Sequence, residues 1–214
     1  MLPDTPELAF FLASSLALLL LPGPAVFYVI ARSVSQGRDA GLVSALGVGA
    51  GSLVHVTAAA LGISALVASS AELFTMLRIA GAAYLVYLGI RALLSTPDGA
   101  GGRIPRLAER SLAEVFREGV VVNILNPKTA IFFVAFLPQF ADPARGPVGV
   151  QILILGGMFI VLGIATDSLY AVASHRITRR FAAGARAQKI RARVAAGVYF
   201  VLGAATLTVE APRT

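Results

Sequence analysis

Three ionisable residues, Lys128, Asp167 and His55, lie within long apolar stretches of the sequence, where a charge is costly to bury. Asp167 is the only acidic residue well inside such a stretch, and a buried carboxylate can alternate between neutral and charged states. Lys128 can hold the carboxylate of a ligand, or pair with Asp167 when no ligand is bound. His55 is of a residue type that suits a proton relay. These residue types indicate anion binding and proton exchange inside a membrane.

Each of these residues also has a structural interpretation that the sequence leaves open. Lys128 can belong to a permanent ion pair, or extend its aliphatic chain towards the membrane surface. Asp167 can form a permanent salt bridge with Lys128 or Arg176, because it is expected roughly 9 Å beyond the centre of its helix. His55 fits equally well as a core histidine with satisfied hydrogen bonds.

The composition indicates the membrane setting of these residues. The chain has 57% hydrophobic and 14% charged residues, with a mean hydropathy of +0.81, whereas a soluble domain carries about 25% charged residues. We therefore expect an all-α integral membrane protein that forms one transmembrane domain over residues 1–214. The absence of cysteine excludes disulfides, thiolate metal sites and thiol–disulfide relays.

Six apolar segments are candidates for membrane-spanning helices. The last is about as short as a spanning helix can be, so a five-span arrangement remains an alternative. Asp4 and Glu7 replace the basic start of a signal peptide, so the first segment is interpreted as a retained span. The predicted spans lie near 8–31, 41–67, 71–93, 115–140, 148–174 and 194–210.

Basic residues predict the orientation of these spans. Most of the 18 Lys and Arg residues fall in or beside three loops, which the positive-inside rule places in the cytoplasm with both termini outside. This explains the net charge of +7 better than nucleic-acid binding does. The segment 176–193 can also be an amphipathic helix on anionic lipid. The loop residues are Arg32, Arg38, Arg91, Arg103, Arg106, Arg110, Arg117, Arg176, Arg179, Arg180, Arg186, Lys189, Arg191 and Arg193.

Two of the spans contain helix breakers near their middle. Pro22, Gly23 and Pro24 interrupt the run LALLLLPGPAVFYVIARS and deprive the Leu18 and Leu20 carbonyls of their usual donors. In hydrocarbon such groups must find other partners. The second break, VNILNPKTAIFFVAF, lies three spans later, which makes the broken spans antiparallel. This arrangement is typical of a 3+3 inverted repeat whose discontinuous helices 1 and 4 meet at the midplane.

The residues at each break also predict how the helix restarts. Asn126 can cap a new helix with Pro127 at its first position, and Gly23 and Pro24 can act in the same way. Each restart would direct N–H groups and the positive end of the helix dipole at the membrane centre, where a carboxylate can bind.

Several motifs, in this order along the chain, resemble the LysE/RhtB family of amino-acid exporters: LPGPA, GRDAG with GVGAG, AGAAYLVYLG, NILNPKTAIFF with FLPQF, and DSLY. The resemblance covers nearly the whole chain. It implies a bacterial inner-membrane carrier that exports amino acids or close analogues using the proton gradient, often as a homodimer. Membrane lipid, protons and a small amino acid are then the expected partners.

Other polar and small residues in the spans carry weaker hypotheses. Tyr170 and Tyr84 can contact a ligand, although aromatic residues in spans are usually packing. Arg78 is expected to extend to the membrane surface. Gly47 and Gly51 form a GxxxG motif, which predicts close helix contacts within one chain or across a dimer.

A secondary exporter accounts best for the paired breaks, Lys128 and Asp167 together. A membrane enzyme is disfavoured because the sequence has no HExxH motif, no Ser–His or Ser–Lys set and no cluster of metal ligands, so no cofactor is expected. An ion or metal permease stays as the alternative, although a cation path should carry more acidic residues. With no second buried carboxylate to bind a basic side chain, a neutral amino acid such as homoserine, threonine or leucine is the favoured substrate.

Overall fold

The computed structural model describes residues 2–69 and 109–177, together with six isolated positions between them, 76, 79, 83, 86, 87 and 90. The predicted span near 194–210 lies outside the described residues, as does the span near 71–93 apart from those positions. Arg78 and Tyr84 lie outside them as well. The six-span count and the inverted repeat therefore remain predictions.

The described ranges are helical and contain no strand, which confirms the all-α prediction. Short turns of other helical types follow the helix at Pro127–Ile131: a π-helical turn at Phe132–Phe136 and 3₁₀ turns at Leu137–Phe140 and Pro143–Arg145. The α-helices are α1 (Thr5–Leu20), α2 (Pro24–Gln36), α3 (Arg38–Ser69), α4 (Leu112–Ile124), α5 (Pro127–Ile131) and α6 (Val148–Ile177).

Between two and four of these elements can span a membrane. Helices α3 and α6 are long and apolar enough over Arg38–Gly62 and Val148–Ser174. The pair α1 and α2 is bent by 53°, and the pair formed by α4 and Pro127–Phe140 is bent by 51°, so each pair counts as one broken span or as a re-entrant segment.

Proline chemistry explains where both bends occur. A proline disfavours the helical conformation of the residue before it. Leu21 and Gly23, which precede Pro22 and Pro24, are both extended, with ψ of 118° and −173°. Asn126, before Pro127, is extended in the same way, with ψ of 106°. The chain therefore leaves the helix at Leu21 and re-enters it at Pro24, and it repeats this at Pro127.

Helix α3 lies at the centre and packs against α2, α4 and α6. A Cβ atom on Gly47 would lie 2.3 Å from the carbonyl oxygen of Phe116, and one on Gly51 would lie 2.6 Å from that of Val120. The GxxxG motif thus allows α3 and α4 to approach at backbone distance within one chain.

Aromatic side chains fill the space between α1, α6 and the π-helical turn. Phe132 stacks on Phe159 with 4.4 Å between ring centroids, and Phe133 meets the same ring edge-on at 5.0 Å. Phe11 and Phe136 are completely buried in the same cluster. This packing holds the segment after the second break against α1 and α6.

Candidate functional site

The two carbonyls that Pro22 and Pro24 deprive of their helical donors have both acquired new donors. The Leu18 oxygen accepts from the N–H of Leu21 at 3.1 Å, which closes the last turn of α1. The Leu20 oxygen accepts a 2.7 Å hydrogen bond from the hydroxyl of Tyr170 on α6. The prolines deprive Leu18 and Leu20 of their usual donors, as expected. A local N–H replaces the donor at Leu18, and a side chain on α6 replaces the donor at Leu20.

Lys128 supplies the third donor and brings the two breaks together. Its Nζ atom donates a 2.7 Å hydrogen bond to the oxygen of Leu21. To reach it, the side chain passes directly over Gly23, where a Cβ atom would lie 3.4 Å from Cδ and 3.7 Å from Nζ of Lys128. The Lys128 ammonium group, at the second break, therefore contacts a backbone carbonyl oxygen at the first break.

The second break is capped as the sequence predicts. The Asn126 side-chain oxygen accepts from the backbone N–H of Lys128 at 3.2 Å, and its carbonyl accepts from Ala130 at 3.0 Å. Pro127 occupies the first turn of α5. Because Asn126 itself occupies the N–H of Lys128, the charged side chain is the stronger anion-binding group at this break.

Asp167 lies on α6 beside the first break. Gly163, one turn before it, faces Leu19, and Tyr170, three residues after it, contacts Leu20. The Asp167 side chain is buried, with 4% of its surface exposed.

Among the described residues, no salt bridge joins Asp167 to Lys128, although the sequence allows one. The Asp167 carboxylate also makes no hydrogen bond to any described residue. The two charges interact at longer range. The physical reason is that the Lys128 ammonium is held by Leu21, at the negative end of the α1 dipole. The alternative partner is Arg176, whose side chain is not among those that the structure describes.

His55 contacts the second break rather than the first. Its Nε2 atom lies 2.9 Å from the backbone oxygen of Asn123. A carbonyl oxygen only accepts hydrogen bonds, so Nε2 carries a proton. The ring stacks on Phe133, with an interplanar angle of 10°. In this arrangement His55 is packed and hydrogen-bonded on one side, as a core histidine would be.

A buried polar cluster around Asn123 was not singled out from the sequence. The Asn123 amide donates to the Val48 oxygen at 2.8 Å and to the Ser52 hydroxyl at 2.7 Å on α3. Its side-chain oxygen accepts from Thr129 at 3.0 Å and from Asn126 at 3.4 Å. The signal for this cluster is an asparagine in the apolar run VVVNIL, one turn before the break. Asn123 therefore fastens the second break to the central helix.

Two ion-pair clusters lie on either side of the breaks along the broken helices. Between α2 and α4, Glu118 contacts the buried Arg32 and also Arg110, whose Nε atom lies 3.0 Å away. At the start of α1, Arg145 contacts Glu7 at 2.8 Å and Asp4 at 3.1 Å. Ion pairs thus connect the two broken helices at both ends. Lys128 and Asp167 lie between the two clusters.

Comparison with known proteins gives a consistent family. A family model described as LysE type translocator matches residues 16–210. An uncharacterized membrane protein of Vibrio cholerae is 35% identical over 167 residues, which cover 76% of this chain and 74% of the relative. A leucine efflux protein of Salmonella typhimurium is 31% identical over 145 residues, which cover 68% of each chain. No solved structure matches the chain.

Proposed function

The chain belongs to the family of LysE type translocators, and on this premise we propose that it exports neutral amino acids across the bacterial inner membrane by proton antiport. The observation that carries the proposal is the position of Lys128. Its ammonium group lies between two helix breaks and has one hydrogen-bond acceptor, the Leu21 oxygen, among the contacts described above. An ammonium group has three donors, so it can take up a ligand carboxylate.

In this proposal the substrate lies between the two breaks. Lys128 binds its carboxylate, assisted by the first turn of α2, which begins at Gly23 and Pro24 with N–H groups that have no intrahelical acceptor. Asn126 and Pro127 set the direction of the segment that carries Lys128. Pro22 separates α1 from α2, and Tyr170 closes the site on the side of α6.

Asp167 is the proposed proton carrier. It is the only buried carboxylate in the described part of the chain, and it lies beside the break where the substrate would bind. A carboxylate that is exposed to each side of the membrane in turn can load and release a proton in each cycle. His55 is the second candidate for this role, although its contacts place it at the second break.

The proposed substrate class follows from charge. A lysine or arginine side chain would require a further buried carboxylate, and the described residues offer only Asp167. The relative named as a leucine efflux protein supports an aliphatic neutral substrate. We accordingly expect leucine, threonine or homoserine to be exported in preference to basic amino acids.

The proposed architecture is one domain of six spans, arranged as a 3+3 inverted repeat in which α1 with α2 and α4 with Pro127–Phe140 are the discontinuous helices. Both termini would be periplasmic and the basic loops cytoplasmic. The proposal includes a homodimer in the lipid bilayer, because the resemblance to the LysE/RhtB family implies one.

Countertransport in proteoliposomes tests this function. Vesicles that contain the purified protein are loaded with one unlabelled amino acid, and the entry of labelled leucine from outside is followed. A carrier accelerates this entry only when the loaded amino acid is also a substrate. Empty vesicles and vesicles with Lys128→Met are the controls. Ion conduction without amino-acid exchange would favour an ion permease instead.

A further inference from the structure

We propose that the carbonyl oxygens of Leu20 and Leu21, together with Asp167, form a subsite for a primary ammonium group, which the Lys128 side chain fills when no substrate is present. This inference rests on the proposed function and deepens it, because it assigns the amino group of the substrate to the first break. Lys128 then has two positions, one on Leu21 and one on the substrate carboxylate.

The group that lies at this position is itself a primary ammonium. The Nζ atom of Lys128 is a primary ammonium, and it lies 2.7 Å from the Leu21 oxygen. The α-ammonium of an amino acid has the same three N–H donors and the same charge. The occupant seen in the structure therefore has the chemistry of the proposed ligand group.

The oxygen atoms around this position are suited to binding a cation. Pro22 and Pro24 remove two donors, and α1 ends here with the negative end of its dipole. Leu21 is buried, with 6% of its surface exposed. The Leu20 oxygen accepts from the Tyr170 hydroxyl, and its second lone pair can accept from another donor. The carbonyl oxygens and the Asp167 carboxylate together make an environment suited to a cation with N–H groups.

Charge balance also favours a zwitterionic ligand. Lys128 and Asp167 carry opposite charges when both are ionised, and they lie close enough for these charges to interact. A zwitterionic amino acid adds no net charge to this pair. Its ammonium can replace Lys128 on Leu21 while its carboxylate takes up the Lys128 ammonium, so each charged group keeps a partner. An amine alone adds a positive charge and must compete with Lys128, and a carboxylic acid alone leaves the Leu21 oxygen without its donor.

Fragments of leucine that lack one charged group test this subsite. The probes are leucine, 3-methylbutylamine, which lacks the carboxylate, and 4-methylpentanoate, which lacks the ammonium. Binding to purified protein in detergent is measured by calorimetry. Lys128→Met removes the competing ammonium, so it should bind 3-methylbutylamine roughly tenfold more tightly than the wild type, the value of about one hydrogen bond to a charged group. The affinity for 4-methylpentanoate should fall in the same variant.

Two controls isolate the subsite. Arg38→Gln removes an exposed positive charge at the start of α3 and should leave amine affinity unchanged. The trimethylammonium analogue of the amine keeps its charge but has no N–H donor, so it should gain nothing in Lys128→Met. If Lys128→Met does not fold, Lys128→Gln serves instead, because it also removes the competing ammonium while a polar side chain remains at this position.

The outcomes separate this inference from the proposed function. If the wild type binds leucine but Lys128→Met binds the amine no more tightly, the ammonium subsite is wrong and the exporter remains. If sodium ions displace the amine as effectively as leucine does, the break is a general cation site and the inference is overturned. If no amino acid binds but the amine still gains affinity, the subsite stands and the proposed substrate class is wrong.

Discussion

Tyr170 and Leu20 are 150 residues apart in the sequence, yet the tyrosine hydroxyl donates a 2.7 Å hydrogen bond to the leucine carbonyl. This carbonyl is the one that Pro24 deprives of its helical donor. A helix break in a membrane is tolerated where other groups satisfy the backbone. The side chain of α6 is therefore part of what makes the first break possible.

Tyr170→Phe tests this support. The substitution keeps the ring and removes the donor to Leu20, so the protein should lose about 0.5–1.5 kcal/mol of stability, the net contribution of one typical hydrogen bond. The measurement is thermal unfolding in detergent. Leu169→Ala, at an exposed neighbouring position on α6, is the matched control and should unfold close to the wild-type temperature. An unchanged midpoint in Tyr170→Phe would show that another donor replaces the hydroxyl.

Lys128→Met should weaken amino-acid binding at least tenfold while the protein still inserts, because a charge-assisted hydrogen bond to the carboxylate is lost. Asn126→Leu should act in the same direction, since it removes the cap that orients Lys128. Equilibrium binding of labelled amino acid is the measurement, with Arg38→Gln as the control. Wild-type affinity in Lys128→Met would place the carboxylate site elsewhere.

Asp167→Asn should abolish net export driven by a pH gradient but leave some amino-acid exchange, because exchange does not require release of the proton. The substitution keeps the shape of the side chain and removes its titration. Export and exchange are measured in the same proteoliposomes, and Asp39→Asn, at an exposed acidic position, is the control.

Two other results for Asp167→Asn would have clear meanings. If folding yield and exchange fall together, Asp167 has a structural role, such as a salt bridge to Arg176. If pH-driven export is unimpaired, both accounts are wrong and the proton role moves to His55.

Asn123→Ala should lower both stability and amino-acid affinity. It leaves the Ser52 and Thr129 hydroxyls without this partner, at about 1–3 kcal/mol for each group that stays unsatisfied. It also removes the side-chain hydrogen bonds that join the second break to Val48 and Ser52 of α3. Thr129→Val, which removes a single hydrogen bond of the cluster, should have a smaller effect on unfolding. Lower stability with unchanged affinity would limit Asn123 to a structural role.

Topology is testable without purification. A reporter fused after Thr214 should behave as periplasmic, and one inserted near Gly101 as cytoplasmic, because the basic loops are retained inside. These positions lie outside the described residues, so the experiment also addresses the predicted sixth span. A cytoplasmic C-terminus would contradict the six-span arrangement.

Local chemistry made much of this structure predictable. The breaks at Pro22 and Pro127, the cap at Asn126 and the close contact at Gly47 all follow from residues within one helical turn. Each depends on a backbone property of proline, asparagine or glycine that acts on its immediate neighbours. The breaks and the cap are thus set locally, whereas the glycine only permits a close contact that the packing of α3 against α4 then makes.

The partners of the freed groups were not predictable in the same way. Pairing with Asp167 is one of the roles that the sequence leaves open for Lys128, but its ammonium lies on Leu21. Tyr170 was considered for ligand contact and not as a donor to Leu20. Asn123 was missed because its four side-chain contacts depend on how α4 and α5 pack against α3. Charge and hydropathy indicate that such groups need partners, and only the packing decides which.

The two hydrogen bonds that cover the first break have a consequence for biosynthesis. Their donors, Lys128 and Tyr170, follow the break by 107 and 150 residues. At a ribosomal rate of about 5–20 residues per second, they emerge roughly 5–30 s after the carbonyls they serve. During this interval the nascent first span must stay near water or the insertion machinery, since bare carbonyls are costly in lipid. The broken helix is thus expected to settle in the bilayer late, after the spans that complete it have been synthesised.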